Sequence, residues 1–571
     1  MREAHRFAMR SCIAGICWSH RLRRPLRRKR RRVETTPVSF AHGIACLPAL
    51  AVLGFSGVQL PTGLRYITWP PRGQLSWCDT LALKKGSSRP RLHSYNDSSP
   101  KMSNRIVIVG FGNIGQAVIP LLQDEFAGRR ITAIDCCIDE RRVEIATARN
   151  IELVEQRVDA DNFQGILAPR LSRGDFLLNL APSVSTCDLL LLAQSKGAIY
   201  LDTGIEPWEY HYDQDDYDGT NADTSNYALR ERVLALKRGQ SASTPTAIVA
   251  NGANPGYVSA LVKQGLLELA QEVGLAELAS PAPRTREDWA RLAAALDVQV
   301  IQISERDTQR APIERAPREF VNTWSVPGFM TECQQDAELG WGTHEPTLPA
   351  GAVRHTAGSR AAIRLSRPGW ATTVKSWTPR QGEFEGYVLT HHEAISIADY
   401  LTLGPPAAAT ATYRPTVYYA YRPTDLAVES MSLLREDGGD APAERLLKDE
   451  ITEGIDELGV FLLSGRYPAL WLGSALSIGR ARSLAPYNNA TSLQVVSAVV
   501  AALRWAEAHP AEGIVEADEI DYTAIVEYGE HFWAPMQRCY THWKPIEGLS
   551  RLAFAAFAAT NESAEVVQTT S

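Results

Sequence analysis

Residues 105–109, RIVIV, form a short apolar, β-branched run, the pattern of a strand buried on both faces of a parallel sheet. Gly110-Phe111-Gly112-Asn113-Ile114-Gly115 follows at once. Gln116 to Phe126 then places Ala117, Val118, Leu121 and Leu122 on one helical face. A second strand, ITAID, ends in Asp135. Strand, GxGxxG, helix, strand and acid within about 30 residues is the pattern of a dinucleotide-binding unit. The first glycine permits the tight turn, the second lets backbone approach a pyrophosphate, and the third lets helix and strand pack closely. Asp135 lies 20 residues past Gly115, where a carboxylate accepts from ribose hydroxyls and repels a 2′-phosphate. NAD is therefore expected over NADP, although Arg141 and Arg142 just beyond pull the other way.

Further βα units follow. RRVEIATARN reads as a helix, IELVEQRV and DFLLNL as strands, CDLLLLAQSKG as a helix, and AIYLDT and TAIVA as strands. Ligands of open parallel sheets sit beyond the carboxyl ends of the strands. That makes the turns Ala181–Thr186, Gly204–Trp208 and Asn251–Gly256 candidate walls, against the plainer reading that they need Gly and Pro only for turn geometry. From Tyr257 the pattern changes. A helix over SALVKQGLLELAQEV, a Pro-rich loop, a helix from Arg286 to Leu296 and a strand VQVIQIS lead into aromatic-rich segments that suggest an antiparallel or mixed sheet. Residues 404–412 and 435–442 read as surface loops, and Ser492–His509 as an apolar helix that packs back on the nucleotide domain. The expected fold is α/β, a doubly wound Rossmann-type parallel sheet plus a second α+β domain with a mixed sheet. The expected divisions are a basic extension (1–101), an NAD-binding domain (102–256), a substrate domain (257–430) and a C-terminal helical region (431–571).

Charge separates the extension from the rest. The first 101 residues carry 19 Lys and Arg against 4 Asp and Glu, and the remaining 470 carry 40 against 61. RLRRPLRRKRRR at 21–32 repels itself and stays solvated. The extension reads as an upstream stretch before a true start at Met102, an organelle-targeting segment, a nucleic-acid-binding arm or a membrane anchor, the apolar stretch near 40–60 being marginal for a span. The nine cysteines show no metal spacing, and a reducing interior is the simplest setting.

The second half holds the chemical candidates. Ser304-Glu305-Arg306-Asp307-Thr308-Gln309-Arg310 closes a strand with polar residues and reads by itself as a solvated loop. Phe320-Val321-Asn322-Thr323-Trp324-Ser325 leads to Glu332, and Tyr387–Glu393 reads as an apolar strand ending in His391, His392 and an acid. Adjacent histidines on a strand point to opposite faces, so no metal is expected. Carboxylates with an aromatic face suit a cationic amine, and the acidic body draws in cations.

Thirteen collinear segments from Met102 to about residue 545 resemble bacterial homospermidine synthases, within the saccharopine dehydrogenase-like group. Among them are IVIVGFGNIG, LDTGIEPW, NGANPG, SERDTQRA, FVNTWSVPGF, THHEAISIADYLT, GIDELGV and NATSLQVVSAV. The resemblance implies a homodimeric, cytoplasmic enzyme that joins two putrescines into homospermidine and ammonia, with NAD as a bound prosthetic group and no net redox change. It implies that Glu206 and Asn254 hold the amine nearest the nicotinamide, and that Glu305 and His391 share ammonium binding and proton transfer. Trp324 would offer its π face to the cationic intermediate, and Glu332 would pair with the substrate's central or distal cationic nitrogen. The NAD site is expected from Gly110, Gly112, Asn113, Ile114, Gly115, Asp135, Asn179, Leu180, Ala181, Thr203, Ala253, Asn254 and Pro255. Ser183 stands where the family carries an acid, which puts the choice between putrescine and longer amines in question. His392 and Ala394 replace an amide and a hydroxyl. The rival readings are an NAD-linked opine or saccharopine-type dehydrogenase, which needs cations for substrate carboxylates, and a non-catalytic nucleotide-binding scaffold.

Overall fold

Alternate residues of β1 (Arg105–Val109) enter different cores: Ile106 and Ile108 one, Val107 and Val109 the other. Both faces of the strand are therefore covered, as its unbroken apolar run requires. In the computed structural model, which describes residues 105–209, 224–404, 411–436, 443–549 and 551–559, β1 pairs in parallel with β2 (Arg130–Asp135), which pairs with β3 (Glu152–Glu155). On its other side lie β4 (Phe176–Asn179), β5 (Ile199–Asp202) and β6 (Ala247–Val249), all parallel. The basic extension and most of the two loops read at 404–412 and 435–442 lie outside the described residues.

The chain then builds a larger mixed sheet. Its strands are β7 (Val298–Asp307), β8 (Glu319–Asn322), β9 (Asp336–Gly340), β10 (Val353–Arg354), β11 (Ala362–Pro368), β12 (Thr373–Thr378), β13 (Gly382–Tyr387), β14 (Thr416–Arg422), β15 (Ala443–Leu446), β16 (Ile455–Ser464), β17 (Ala469–Ser477), β18 (Ile514–Glu516) and β19 (Met536–Thr541), with three exceptions. β8 and β15 form a separate pair, and β18 returns to the first sheet beside β6. The first sheet thus runs β18-β6-β5-β4-β1-β2-β3, and the second runs β10-β11-β9-β14-β7-β16-β17-β19, with the β12–β13 hairpin attached at β14. The parallel β14–β7 pair beside the antiparallel β7–β16 pair makes it mixed. The expectation of a Rossmann-type sheet plus a mixed-sheet domain is borne out.

The segment 431–571, expected to be helical, carries five strands among its described residues. β16 and β17 are nearly all buried, so their apolar residues do not alternate, and periodicity alone cannot separate such runs from buried helix. The late helix is real and runs Ala490–Ala508, capped by Asn489 and Ser492 reciprocally. It and the helices Tyr257–Glu272 and Tyr522–Trp533 fill the space between the two sheets. One continuous core runs from Ile106 and Ile108 through Leu261, Val499 and Trp533 to Ile303, Tyr419 and Val460. The opposite face of the mixed sheet, with Val300, Tyr418, Phe461 and Trp471, packs on Phe554 and Phe557.

Candidate active site

The glycine turn leaves room where a dinucleotide needs it. A Cβ on Gly110 (φ +94°) would lie 2.8 Å from the backbone of Leu180 and Ala181, and one on Gly115 would lie 2.3 Å from the Gly110 carbonyl oxygen. Neither position tolerates a side chain. At Gly112 a Cβ would meet nothing within 4 Å, so that glycine leaves open space rather than serving packing. Asp135 closes β2 beside the turn, its carboxylate accepting from the backbone N–H of Phe111 at 2.6 Å and of Cys137 at 3.0 Å. Arg141 pairs with Asp449, and Arg142 pairs with Asp139 and donates to the Phe111 carbonyl. Both guanidiniums near the ribose end are thus engaged with protein groups, which favours the cofactor without a 2′-phosphate.

Three further strand ends supply walls. Asn179, at the end of β4, donates to the Val184 carbonyl at 2.9 Å, and its buried Oδ1 has no protein partner. Glu206 follows β5, and its carboxylate accepts from the N–H of Ser183 at 3.2 Å. Thr203 packs beside Gly252. Ala253 is buried, and the side chain of Asn254 lies against the Tyr419 hydroxyl.

The mixed sheet brings the acids. Glu305 and Asp307 are two apart on β7, so they share a face. Asp456 on β16 stands opposite Asp307, and Tyr421 on β14 stands opposite Glu305. Glu305 is 2% exposed, and Asp307 and Asp456 are fully buried. The Tyr419 hydroxyl donates to Glu305 at 2.6 Å, Thr491 to Asp456 at 2.6 Å and Thr323 to Asp307 at 3.2 Å. No lysine or arginine forms an ion pair with any of the three among the described residues. Burial pushes Glu305 up to about 8 against the Tyr419 hydrogen bond, and Asp307 up to about 6. Burial and the other two carboxylates hold Asp456 well above the usual carboxylate range.

His391 caps the helix His392–Tyr400, and its ring packs on Tyr419 with centroids 4.3 Å apart. Its Nε2 lies 3.2 Å from Glu332 and its Nδ1 3.2 Å from Glu393. Burial opposes charge on the ring, yet the carboxylates of Glu393 and Glu332 together raise it well above its ordinary value. Trp324 follows β8 and is only partly buried. Asn113 of the glycine turn donates to the carbonyl oxygens of Thr323 at 3.5 Å and Trp324 at 3.4 Å. This contact joins the nucleotide turn to the acidic face.

The profile of the Saccharopine dehydrogenase NADP binding domain matches residues 106–248, and that of the Saccharopine dehydrogenase C-terminal domain matches residues 252–539. The homospermidine synthase of Blastochloris viridis is 44% identical over 455 residues, 78% of this chain and 93% of that one. That of Mesorhizobium japonicum is 40% identical over 454 residues, 78% and 92% of the two chains. The chain belongs to the homospermidine synthase family. The crystal structure of the Legionella pneumophila homospermidine synthase in complex with NAD matches with a TM-score of 0.72 at 38% identity, over 78% of this chain and 94% of that chain.

Against this family background, the fold connects Glu305, Trp324, Glu332 and His391 through shared neighbours, while Glu206 is held at the carboxyl ends of the parallel sheet. Two local readings change. The strand β7 runs on to Asp307, so SERD is buried strand and not solvated loop. His391 and His392 open a helix and do not end a strand, since β13 stops at Tyr387. His392 faces away from Glu332 and lies 3.0 Å from Glu516, which also binds Arg230. Asp307, Asp456, Tyr419 and Glu393 were not anticipated as parts of the site. The spacing of Asp307 two residues after Glu305 was a usable signal once β7 was known to extend that far. Nothing local marks Asp456, which arrives through strand pairing.

Proposed function

We propose that this chain is a homospermidine synthase that binds NAD at the Gly110–Gly115 turn and acts on putrescine. Two diamines are joined into one triamine with release of ammonia, and there is no net redox change. The observation that carries the reading is the set of buried carboxylates, Glu305, Asp307 and Asp456, with which no lysine or arginine forms an ion pair among the described residues. Burial holds all three above the usual carboxylate range, and a substrate ammonium beside them favours the ionised form. A saccharopine-type substrate, rich in carboxylates, would be repelled here.

Gly110, Gly112, Asn113, Ile114 and Gly115 would hold the pyrophosphate, Asp135 the ribose, and Asn179 to Ala181, Thr203 and Ala253 to Pro255 the walls toward the nicotinamide. Bound there, NAD would supply a hydride acceptor for an amine-bearing carbon and the same hydride for the later reduction. The protein's part is to place and protonate the amine. Glu206 and Asn254 hold the inner nitrogen, the Glu206 carboxylate and the Asn254 carbonyl oxygen accepting from it. Glu305, tied to Tyr419, shares ammonium binding with His391. His391 relays protons between amine nitrogen and the flanking Glu332 and Glu393, a role suited to an imidazole held between two acids. The π face of Trp324 would stabilise the cationic intermediate. A homodimer and a cytoplasmic setting belong to this reading from the resemblance alone. No helix among the described residues is long and apolar enough to cross a membrane.

The test is to incubate the chain with putrescine and a catalytic amount of NAD and to separate the polyamines. Homospermidine without matching NADH is the expected result. NADH that accumulates with turnover would instead assign a dehydrogenase.

A further inference from the structure

Asp202 ends β5 beneath the turns that carry Glu206 and Asn254. Its side chain is fully buried and holds three donors. Oδ2 accepts the hydroxyl of Tyr200 at 2.7 Å and that of Thr186 at 2.6 Å, and Oδ1 accepts the N–H of Ala250 at 2.6 Å. The Asp202 carbonyl oxygen accepts from the N–H of Asn251 at 2.8 Å. Thr186 passes this anchorage on. Its hydroxyl gives its proton to Asp202 and accepts from the N–H of Glu206 at 3.1 Å, and its own N–H donates to the Glu206 carbonyl at 2.9 Å. Ala250 has φ +52°, a left-handed conformation that an alanine adopts only when its surroundings enforce it. It leads directly into Asn251–Gly256.

We propose that Asp202 is a positioning residue for the inner amine subsite: through Thr186 it fixes Glu206, and through Ala250 it fixes the turn that carries Asn254. The inference rests on the reading of Glu206 and Asn254 as amine ligands. The chemistry selects a carboxylate. All three partners donate, and an ionised carboxylate only accepts. An asparagine at 202 would turn an N–H toward at least one donor, and the tethered turns would move relative to each other. A carboxylate that points into a hydrogen-bonded knot behind the strand ends cannot itself reach the substrate, so its effect on turnover must pass through Glu206 and Asn254.

The test compares Asp202→Asn, Thr186→Val and their combination, assayed by homospermidine formation with NAD affinity and melting temperature measured alongside. Each single substitution is expected to raise the KM for putrescine by roughly tenfold or more, with NAD affinity and melting temperature close to the parent. The combination should be no worse than the poorer single variant, because the link that Thr186→Val cuts is one of the two that Asp202→Asn disturbs. Thr186→Ser keeps the hydroxyl and should restore the parental KM. If Asp202→Asn does not fold, Thr186→Val against Thr186→Ser still decides. Parental KM and kcat in the folded variants would overturn the inference. So would fully additive losses, or a fall in NAD affinity and melting temperature that parallels the loss of activity. A parent chain that makes no homospermidine would overturn the functional reading and this inference with it.

Discussion

Glu305 is the residue whose chemistry depends most on an occupant. Burial keeps it protonated up to about pH 8 in the free protein, and an ammonium beside it favours the ionised form. Diamine binding therefore releases a proton below pH 8, and affinity should rise with pH from about 6 to about 8 and then level off. The sign for stability is opposite. A carboxyl held above its ordinary 4.5 keeps its proton in the folded chain longer than in the unfolded one, so this contribution to stability falls as pH rises from 4.5 to about 8. Thermal melts at several pH values with and without putrescine should show stabilisation by the diamine growing with pH. Stabilisation that is flat or shrinks over that range contradicts the placement of ammonium at Glu305. Trp324→Ala should slow turnover about tenfold to thirtyfold, the scale of a desolvated cation–π contact of about 2 kcal/mol. NAD affinity should survive, since Asn113 bonds the Trp324 backbone and not its ring. Glu305, Trp324, Glu332 and His391 were legible in the sequence only through motif resemblance; by composition alone each had a plain reading as loop, core or surface. Glu393 and Tyr419 escaped because their partners are His391 and Glu305, contacts that exist only after β14 and the helix His392–Tyr400 have packed.

Among the elements, the first βα turn was the most readable. Its glycines answer to different demands, and the structure separates them. Gly115→Ala places a methyl 2.3 Å from the Gly110 carbonyl oxygen and should lower both melting temperature and NAD affinity. Gly112→Ala meets open space in the protein and should leave melting unchanged while weakening NAD binding roughly tenfold or more, as a methyl intrudes on the pyrophosphate. Equal losses of stability in both variants would show that Gly112 serves packing. The parallel strands were legible because their both-face burial leaves short apolar runs followed by turn residues. The end of β7 was not, because a buried strand that carries Glu305 and Asp307 looks in one dimension like a solvated loop. The strand reading of THHE failed for a related reason: the apolar Tyr387-Val388-Leu389 leads straight into a helix without Gly, Pro or a strong side-chain cap.

At the scale of the whole molecule, function depends on two sheets meeting. The helix Ala490–Ala508 is the strut. Asn488 and Asn489 before it reach the Ala117 carbonyl at 3.0 Å on the nucleotide side and the Thr323 carbonyl at 2.6 Å beside Trp324. Thr491 in its first turn grips Asp456. The late apolar helix was visible in sequence, whereas the strands β16 to β19 that follow and precede it were not. They are segments of a sheet assembled from distant parts of the chain, and β18 crosses back to the nucleotide sheet altogether. At this junction a hydride would pass from putrescine to NAD and return to the new imine. Putrescine carrying deuterium on both amine-bearing carbons, supplied with unlabelled catalytic NAD, follows that hydride. Mass spectrometry should find homospermidine that retains the full deuterium content of its precursors, with one ammonium released per product. Homospermidine that has lost deuterium, or label that accumulates in free reduced nucleotide, would contradict that return.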